Sequence, residues 1–116
     1  MNRVLVSVHH THGHSGVVIG DGGVLLVRNL RAAGAGWEAL QGERPGVLTW
    51  PGDHLVAGGL LPGGAAGAEL VVGGRRASAV VARGAWIVAT HVPTRPVEVR
   101  FTGPDGAELG RAMAAG

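Results

Sequence analysis

The chain contains no cysteine, no lysine and no tyrosine. Without cysteine there can be no disulfide and no thiolate metal site, although that absence leaves the compartment open. Aromatic residues make up only 3 % of the 116 positions: Trp37, Trp50, Trp86 and Phe101. All ten basic residues are arginines, scattered among eight acids, and the net charge is only +2. The high isoelectric point therefore reflects the lack of lysine rather than a basic face. A nucleic-acid surface would need clustered cations interleaved with stacking rings, so no nucleic-acid partner is expected. Charged residues are also scarce, 16 % against about 25 % in an average domain. A surface so weakly charged and so rich in alanine and valine favours association, so a protein partner or a homo-oligomer is expected.

Long apolar runs are missing as well. None approaches the roughly 18 residues of a membrane-spanning helix. The apolar stretch from Met1 to Val8 is cut short by His9, His10 and His12, so no signal peptide and a cytoplasmic location are expected. No amphipathic helix of ten or more residues and no repeat period is evident. The length fits one domain over 1–116, large enough to bury roughly 65 % of its unfolded surface.

What is present is a string of short strand-forming segments divided by turn residues, most legible from Ala68 to Arg111. Gly73-Gly74, Arg83-Gly84 and Pro104-Asp105-Gly106 mark turns there, and Pro93 and Pro96 bracket a loop. In Val97-Glu98-Val99-Arg100-Phe101 the apolar residues share one face and the charged residues the other. Trp86 and Val88 alternate with Ile87 and Ala89 in the same way. A slip of one residue would bury Glu98 and Arg100, so the register is strongly specified. Earlier in the chain, Val4–Val8, with Val4, Val6 and Val8 on one face, and Val17–Ile19, Val24–Val27, Val47–Trp50 and His54–Ala57 read as strands. Gly20-Asp21-Gly22-Gly23 is a hairpin signal. Gly58-Gly59 reads as a strand boundary. The segment 37–41 is the best candidate for a helical turn, competing with a loop whose Trp37 tucks against the sheet. Residues 110–116 read as a frayed tail. The expected architecture is an all-β, single antiparallel β-sandwich, immunoglobulin-like, of about eight or nine strands, with a small β-barrel as the alternative.

The second half carries a resemblance. Leu61-Pro62-Gly63-Gly64-Ala65, Ala68-Glu69-Leu70-Val71, Gly84-Ala85-Trp86, Pro96–Phe101 and Asp105-Gly106 together resemble small uncharacterised β-sandwich proteins of actinobacteria. The resemblance implies the fold and the host, and no activity.

One constellation stands out chemically: His9-His10-Thr11-His12-Gly13-His14. Alternate residues of an extended chain lie about 6.5–7 Å apart on one side, so His10 and His12 could converge, with His14 added if Gly13 bends the chain. Imidazole suits a divalent transition metal such as Zn, Ni or Cu, and His54 or His91 could complete the set. The metallo-β-lactamase pattern His-x-His-x-Asp-His lacks its Asp here. The cupin pattern is matched only in its first half, by His10-Thr11-His12. A partly solvated polar strand end and a pH-sensitive patch are the competing readings. Other catalytic signatures are missing. Gly20–Gly23 lacks the Gly-Lys-Ser/Thr ending of a phosphate loop, and no nucleophile elbow surrounds Ser7, Ser15 or Ser78. Trp86 reads as core, whereas Trp37 and Trp50 could line a binding surface.

The expected function is a non-enzymatic binding or assembly module acting through sheet faces or edges. The alternative is a small metal-binding protein or metalloenzyme using His10, His12, His14, His54 and His91. A metal-free hydrolase is a third class.

Overall fold

A computed structural model describes residues 3–31, 36–72, 74–91 and 97–114. The chain is all-β, and no helix occurs among the described residues. Among the described residues twelve strands form three antiparallel sheets of four. The first sheet holds β1 (Arg3–His10), β2 (Gly13–Gly20), β3 (Gly23–Val27) and β4 (Trp37–Ala39), in chain order. The second holds β5 (Gly46–Trp50), β6 (His54–Leu60), β9 (Val80–Ala82) and β10 (Ala85–His91), in the order β5-β6-β10-β9. The third holds β7 (Gly67–Val72), β8 (Arg75–Ser78), β11 (Val97–Thr102) and β12 (Glu108–Ala114), in the order β12-β11-β7-β8.

Two apolar cores show how the sheets stack. Leu5, Val6, Val17 and Leu26 of the first sheet meet Leu48, Val56, Ala85 and Ile87 of the second. Val47, Leu55, Ala57, Trp86 and Val88 of the second meet Ala68, Leu70, Val99, Phe101 and Ala114 of the third. Successive residues of the second sheet therefore point into different cores, as period-2 alternation requires. That sheet is the middle layer, buried on both faces. This explains the nearly continuous apolar runs Val47-Leu48 and Leu55-Val56-Ala57. The expected antiparallel layering is thus present, extended to three sheets rather than the two of an immunoglobulin-like sandwich.

Local sequence accounts for most of the turns. Gly20 and Gly23 are paired across the two-residue loop Asp21-Gly22. Arg83 and Gly84, both at positive φ (50° and 74°), join β9 to β10, the geometry of a tight hairpin turn. The stretch 75–81 divides at Ala79. Its first part pairs with β7 in the third sheet and its second with β10 in the middle sheet.

Four expectations need correction. Gly58 and Gly59 lie inside β6, and do not bound it. A Cβ on Gly58 would sit 3.1 Å from Leu26, Val17 and the Trp86 carbonyl, so glycine there serves close approach of the layers. Segment 37–39 is a strand, and Trp37 is 63 % exposed instead of tucked in. The supposed frayed tail is β12 as far as Ala114, which is fully buried. Val4 does not share the inward face of Val6 and Val8, because a bulge between Val4 and Val6 turns both Leu5 and Val6 into the core. The loop expected between Pro93 and Pro96, and residues 32–35, lie outside the described residues.

The outer face of the third sheet carries an ionic ladder instead of apolar side chains. Glu69 meets Arg100 at 3.0 Å and Arg76 at 3.6 Å, and Arg100 meets Glu108 at 2.8 Å. Arg111 meets Glu108 and Glu98. The register shift between Phe101 and Thr102 brings Glu108 onto this face.

Candidate functional site

The second core ends in a polar rim, and the alternation that builds the core also builds the rim. On β1 the inward series Val6-Val8 continues to His10. On β2 Val17 is followed inward by Ser15. On β3 Val24-Leu26 leads to Arg28, just past the strand. On β5 Leu48 is followed by Trp50, on β6 Val56 by His54, and on β10 Ile87-Ala89 by His91. Each is the next inward position of its strand at the same end of the gap between the first two sheets. Six side chains far apart in sequence converge for that reason.

The contacts are specific. His54 and His91 are directly paired across β6 and β10, and His54 Nδ1 lies 3.3 Å from His91 Nε2. His54 Nε2 lies 3.2 Å from His10 Nδ1. His10 Nε2 lies 2.8 Å from Ser15 Oγ, and the Ser15 hydroxyl donates to the Arg28 carbonyl at 2.5 Å. The His12 backbone N–H donates to His10 Nδ1 at 3.2 Å. Around Trp50 the rings close in. His12 stacks on its indole with centroids 5.9 Å apart, and His10 is tilted against it at 4.9 Å.

The structure therefore gathers His10, His12, His54 and His91, and separates His14 from them. The hairpin turns at Thr11-His12, and Gly13, at φ 140°, begins β2. That bend carries His14 to the opposite face, where it stacks on His9 with centroids 3.8 Å apart. Among the described residues no group of three or more His, Asp or Glu side chains is placed to hold a metal ion. The arrangement of His54 gives the reason. Its two ring nitrogens face two different imidazoles, so the donor atoms form a row with no common centre.

Burial depresses the basicity of His54, His10 and His14. His54 is 3 % exposed, and desolvation, then the charges of His12 and His91, hold its pKa below the ordinary histidine value. His10 is lowered by desolvation first, then by His54, His12, His14 and His9. His14 is lowered by desolvation, then by His9 and Arg31. Imidazoles that crowd each other without a carboxylate partner favour the neutral form.

Ser15, His10 and His54 have the connectivity of nucleophile, base and orienting group. The chemistry does not follow, because Ser15 is fully buried and its proton is already given to the Arg28 carbonyl. A substrate cannot reach Oγ, so this serine fastens β2 to β3 and to the imidazole row.

Sequence reading reached the histidines and Trp50 but missed Arg28 and Ser15 as members of the site. Arg28 was detectable as the next inward position after Val24 and Leu26. Ser15 sits beside His14 in sequence but bonds His10 across the hairpin. A second feature lies elsewhere. A cleft of ≈ 230 Å³ is lined by Glu38, Ala39, Leu40, Gln41, Arg44, Pro45 and Met113, joining the edge strand β4 to the edge strand β12. Comparison with known protein families, with curated proteins and with solved structures finds no match.

Proposed function

We propose that this chain is a non-enzymatic binding and assembly module, working through the edges of its outer sheets where β4 and β12 flank the cleft. The observation that carries this reading is Trp37. It is 63 % exposed on a three-residue strand that, among the described residues, pairs only with β3. An indole left in water beside an unpaired strand edge is an anchor for another chain, since edge N–H and C=O groups can take an added strand. Met113, 53 % exposed and lining the cleft, and Leu109, also 53 % exposed, add two separate apolar side chains on β12, with Arg111 between them. Aromatic and methionine side chains of this kind dominate binding energy at protein interfaces. Ser15, the hydroxyl bonded to the imidazole row, is buried and committed to the Arg28 carbonyl, which fits a module without a serine nucleophile.

The occupant that fits best is a second copy of this chain, because few surface charges oppose self-association. Light scattering over a hundredfold concentration range tests this reading. Wild type is expected to associate, and the double variant Trp37→Ser with Met113→Glu to remain a monomer at an unchanged urea midpoint. A wild type that is monomeric throughout would remove the assembly reading.

A further inference from the structure

The contacts at the imidazole rim fix one another's hydrogens. A carbonyl oxygen can only accept, so Ser15 gives its single hydroxyl hydrogen to Arg28. Ser15 Oγ is then an acceptor, and His10 Nε2, 2.8 Å away, carries a hydrogen. The other side of the ring gives the same answer independently. A backbone N–H can only donate, so His10 Nδ1, 3.2 Å from the His12 amide nitrogen, is a lone pair. His54 Nε2 faces that lone pair at 3.2 Å and must carry a hydrogen. A neutral His54 then presents a lone pair at Nδ1, which His91 Nε2 satisfies from 3.3 Å. With all three rings neutral the hydrogen bonds run one way, from His91 through His54, His10 and Ser15 to the Arg28 carbonyl.

Counting hydrogens sets the capacity of this row. Each ring-to-ring contact holds one, the His10–Ser15 contact holds one, and the outer Nδ1 of His91 can hold one more. Three neutral imidazoles supply three of those four. A fifth hydrogen has no place unless two N–H groups face each other or a contact opens.

We infer that His91, His54 and His10 form a relay for a single proton, entered at the exposed His91 ring, and that a second proton lifts the β1–β2 turn off Trp50. A solvent proton bonds to His91 Nδ1. The His91 Nε2–H bond then breaks as His54 Nδ1–H forms, and the His54 Nε2–H bond breaks as His10 Nδ1–H forms. The charge is shared along the row as far as His10, and with it there each ring keeps a full complement of bonds and Ser15 still accepts from Nε2. The cost of this end state falls on the turn, because the His12 amide loses its acceptor. A second proton leaves two adjacent cationic rings, with centroids 4.7 Å apart for His54 and His91 or 5.1 Å for His10 and His54.

The surroundings oppose that second charge. His12 faces His54 from the turn with ring centroids 4.7 Å apart, and His9 and His14 lie behind His10 on the hairpin. Arg28 on the β3 side is already cationic, with Arg31 beyond it beside His14. Asp53, next to His54 in sequence, is exposed in the turn. Burial and neighbouring imidazoles both lower the basicity of His10 and His54, in keeping with a row that resists a second proton. Trp50 reports the opening, since His10, His12 and Arg28 all lie against its indole. The proton therefore controls access to an aromatic surface distinct from the edge strands.

Nitrogen-resolved NMR of uniformly labelled protein, titrated from pH 8 to pH 4, tests the relay. At pH 8, His10, His54 and His91 are expected as Nε2–H tautomers. On acidification the three rings should share one proton in a first step that leaves Trp50 in place. The Trp50 indole should move only in a second step, while the core Trp86 stays unmoved. His91→Gln is expected to abolish the shared first step, and His14→Gln to leave both steps intact. An Nδ1–H tautomer at His10, or three independent titrations, would overturn the relay. Trp50 and Trp86 moving together would mean global unfolding and would overturn the gated turn.

Discussion

The guanidinium of Arg28 lies over the indole of Trp50, its Cζ 4.5 Å from the ring centroid, and Nη1 of the same group donates to the Thr49 carbonyl at 2.9 Å. One side chain thus ties the end of β3 in the first sheet to the last residues of β5 in the middle sheet. A cation over an indole face contributes about 0.5–2 kcal/mol, and the hydrogen bond adds to it. Arg28→Ala is expected to lower the urea midpoint by an equivalent of about 1–3 kcal/mol, and Arg28→Lys by less. Tryptophan emission, recorded in a Trp37→Phe background to remove the exposed ring, checks whether Trp50 becomes more hydrated.

Acid should weaken the fold before any carboxylate titrates. His10, His54 and His14 all have folded-state pKa values below the unfolded value of 6.5. Between the folded and unfolded values the unfolded chain binds more protons, so stability rises with pH in that window. It is complete above about pH 6.5 and falls as the pH drops towards the depressed values. Denaturant midpoints at pH 7.5, 6 and 5 should decline in that order. His54→Gln should flatten the decline most, because His54 is the most buried of the three.

Gly58 offers a packing test. Alanine there would press against Leu26, Val17 and the Trp86 carbonyl at 3.1 Å, and one of those contacts is backbone that cannot yield cheaply. Gly58→Ala is expected to destabilise by about 1–3 kcal/mol. Gly63→Ala, which meets nothing within 4 Å, should change stability by less than about 0.5 kcal/mol. Urea denaturation of both variants is the measurement.

Metal titration addresses the alternative read from the His-rich stretch. Both nitrogens of His10 and of His54 are committed to neighbours. Titration of untagged protein with Zn²⁺ or Ni²⁺ at pH 7.5 is therefore expected to show no tight stoichiometric complex. A one-to-one complex lost in both His54→Ala and His91→Ala would establish a metal site. Retention of that complex in His14→Ala would match the separation of His14 from the cluster.

Much of this fold is legible in the sequence because alternation and turn chemistry are local signals. The inward face of Val99 and Phe101, the core position of Trp86 and the Asp21-Gly22 hairpin follow from residues within a few positions of one another. What local patterns cannot carry is which strand ends meet. Nothing near His54 in sequence indicates that it contacts His10, 44 residues away, or that Ser15 bonds His10 and not a residue beside it. Glycine misled in β6, because a residue that usually interrupts a strand is there required by the approach of Trp86 and Leu26. The third layer was hidden for a related reason. A middle sheet reads as short apolar runs, and the same runs would suit strands packed over the single core of a two-layer sandwich.

The burial of the middle sheet on both faces bears on how the chain folds. Among the described residues β1 to β4 pair only with sequence neighbours, so that outer sheet can zip up quickly from successive hairpins. The middle sheet must instead bring β6 beside β10, from His54–Leu60 to Ala85–His91, and it gains its full apolar burial only when both outer sheets have docked. Such non-local closure places folding in the slower millisecond-to-second range of small β proteins. Docking of the first outer sheet completes one core, and docking of the second completes the other.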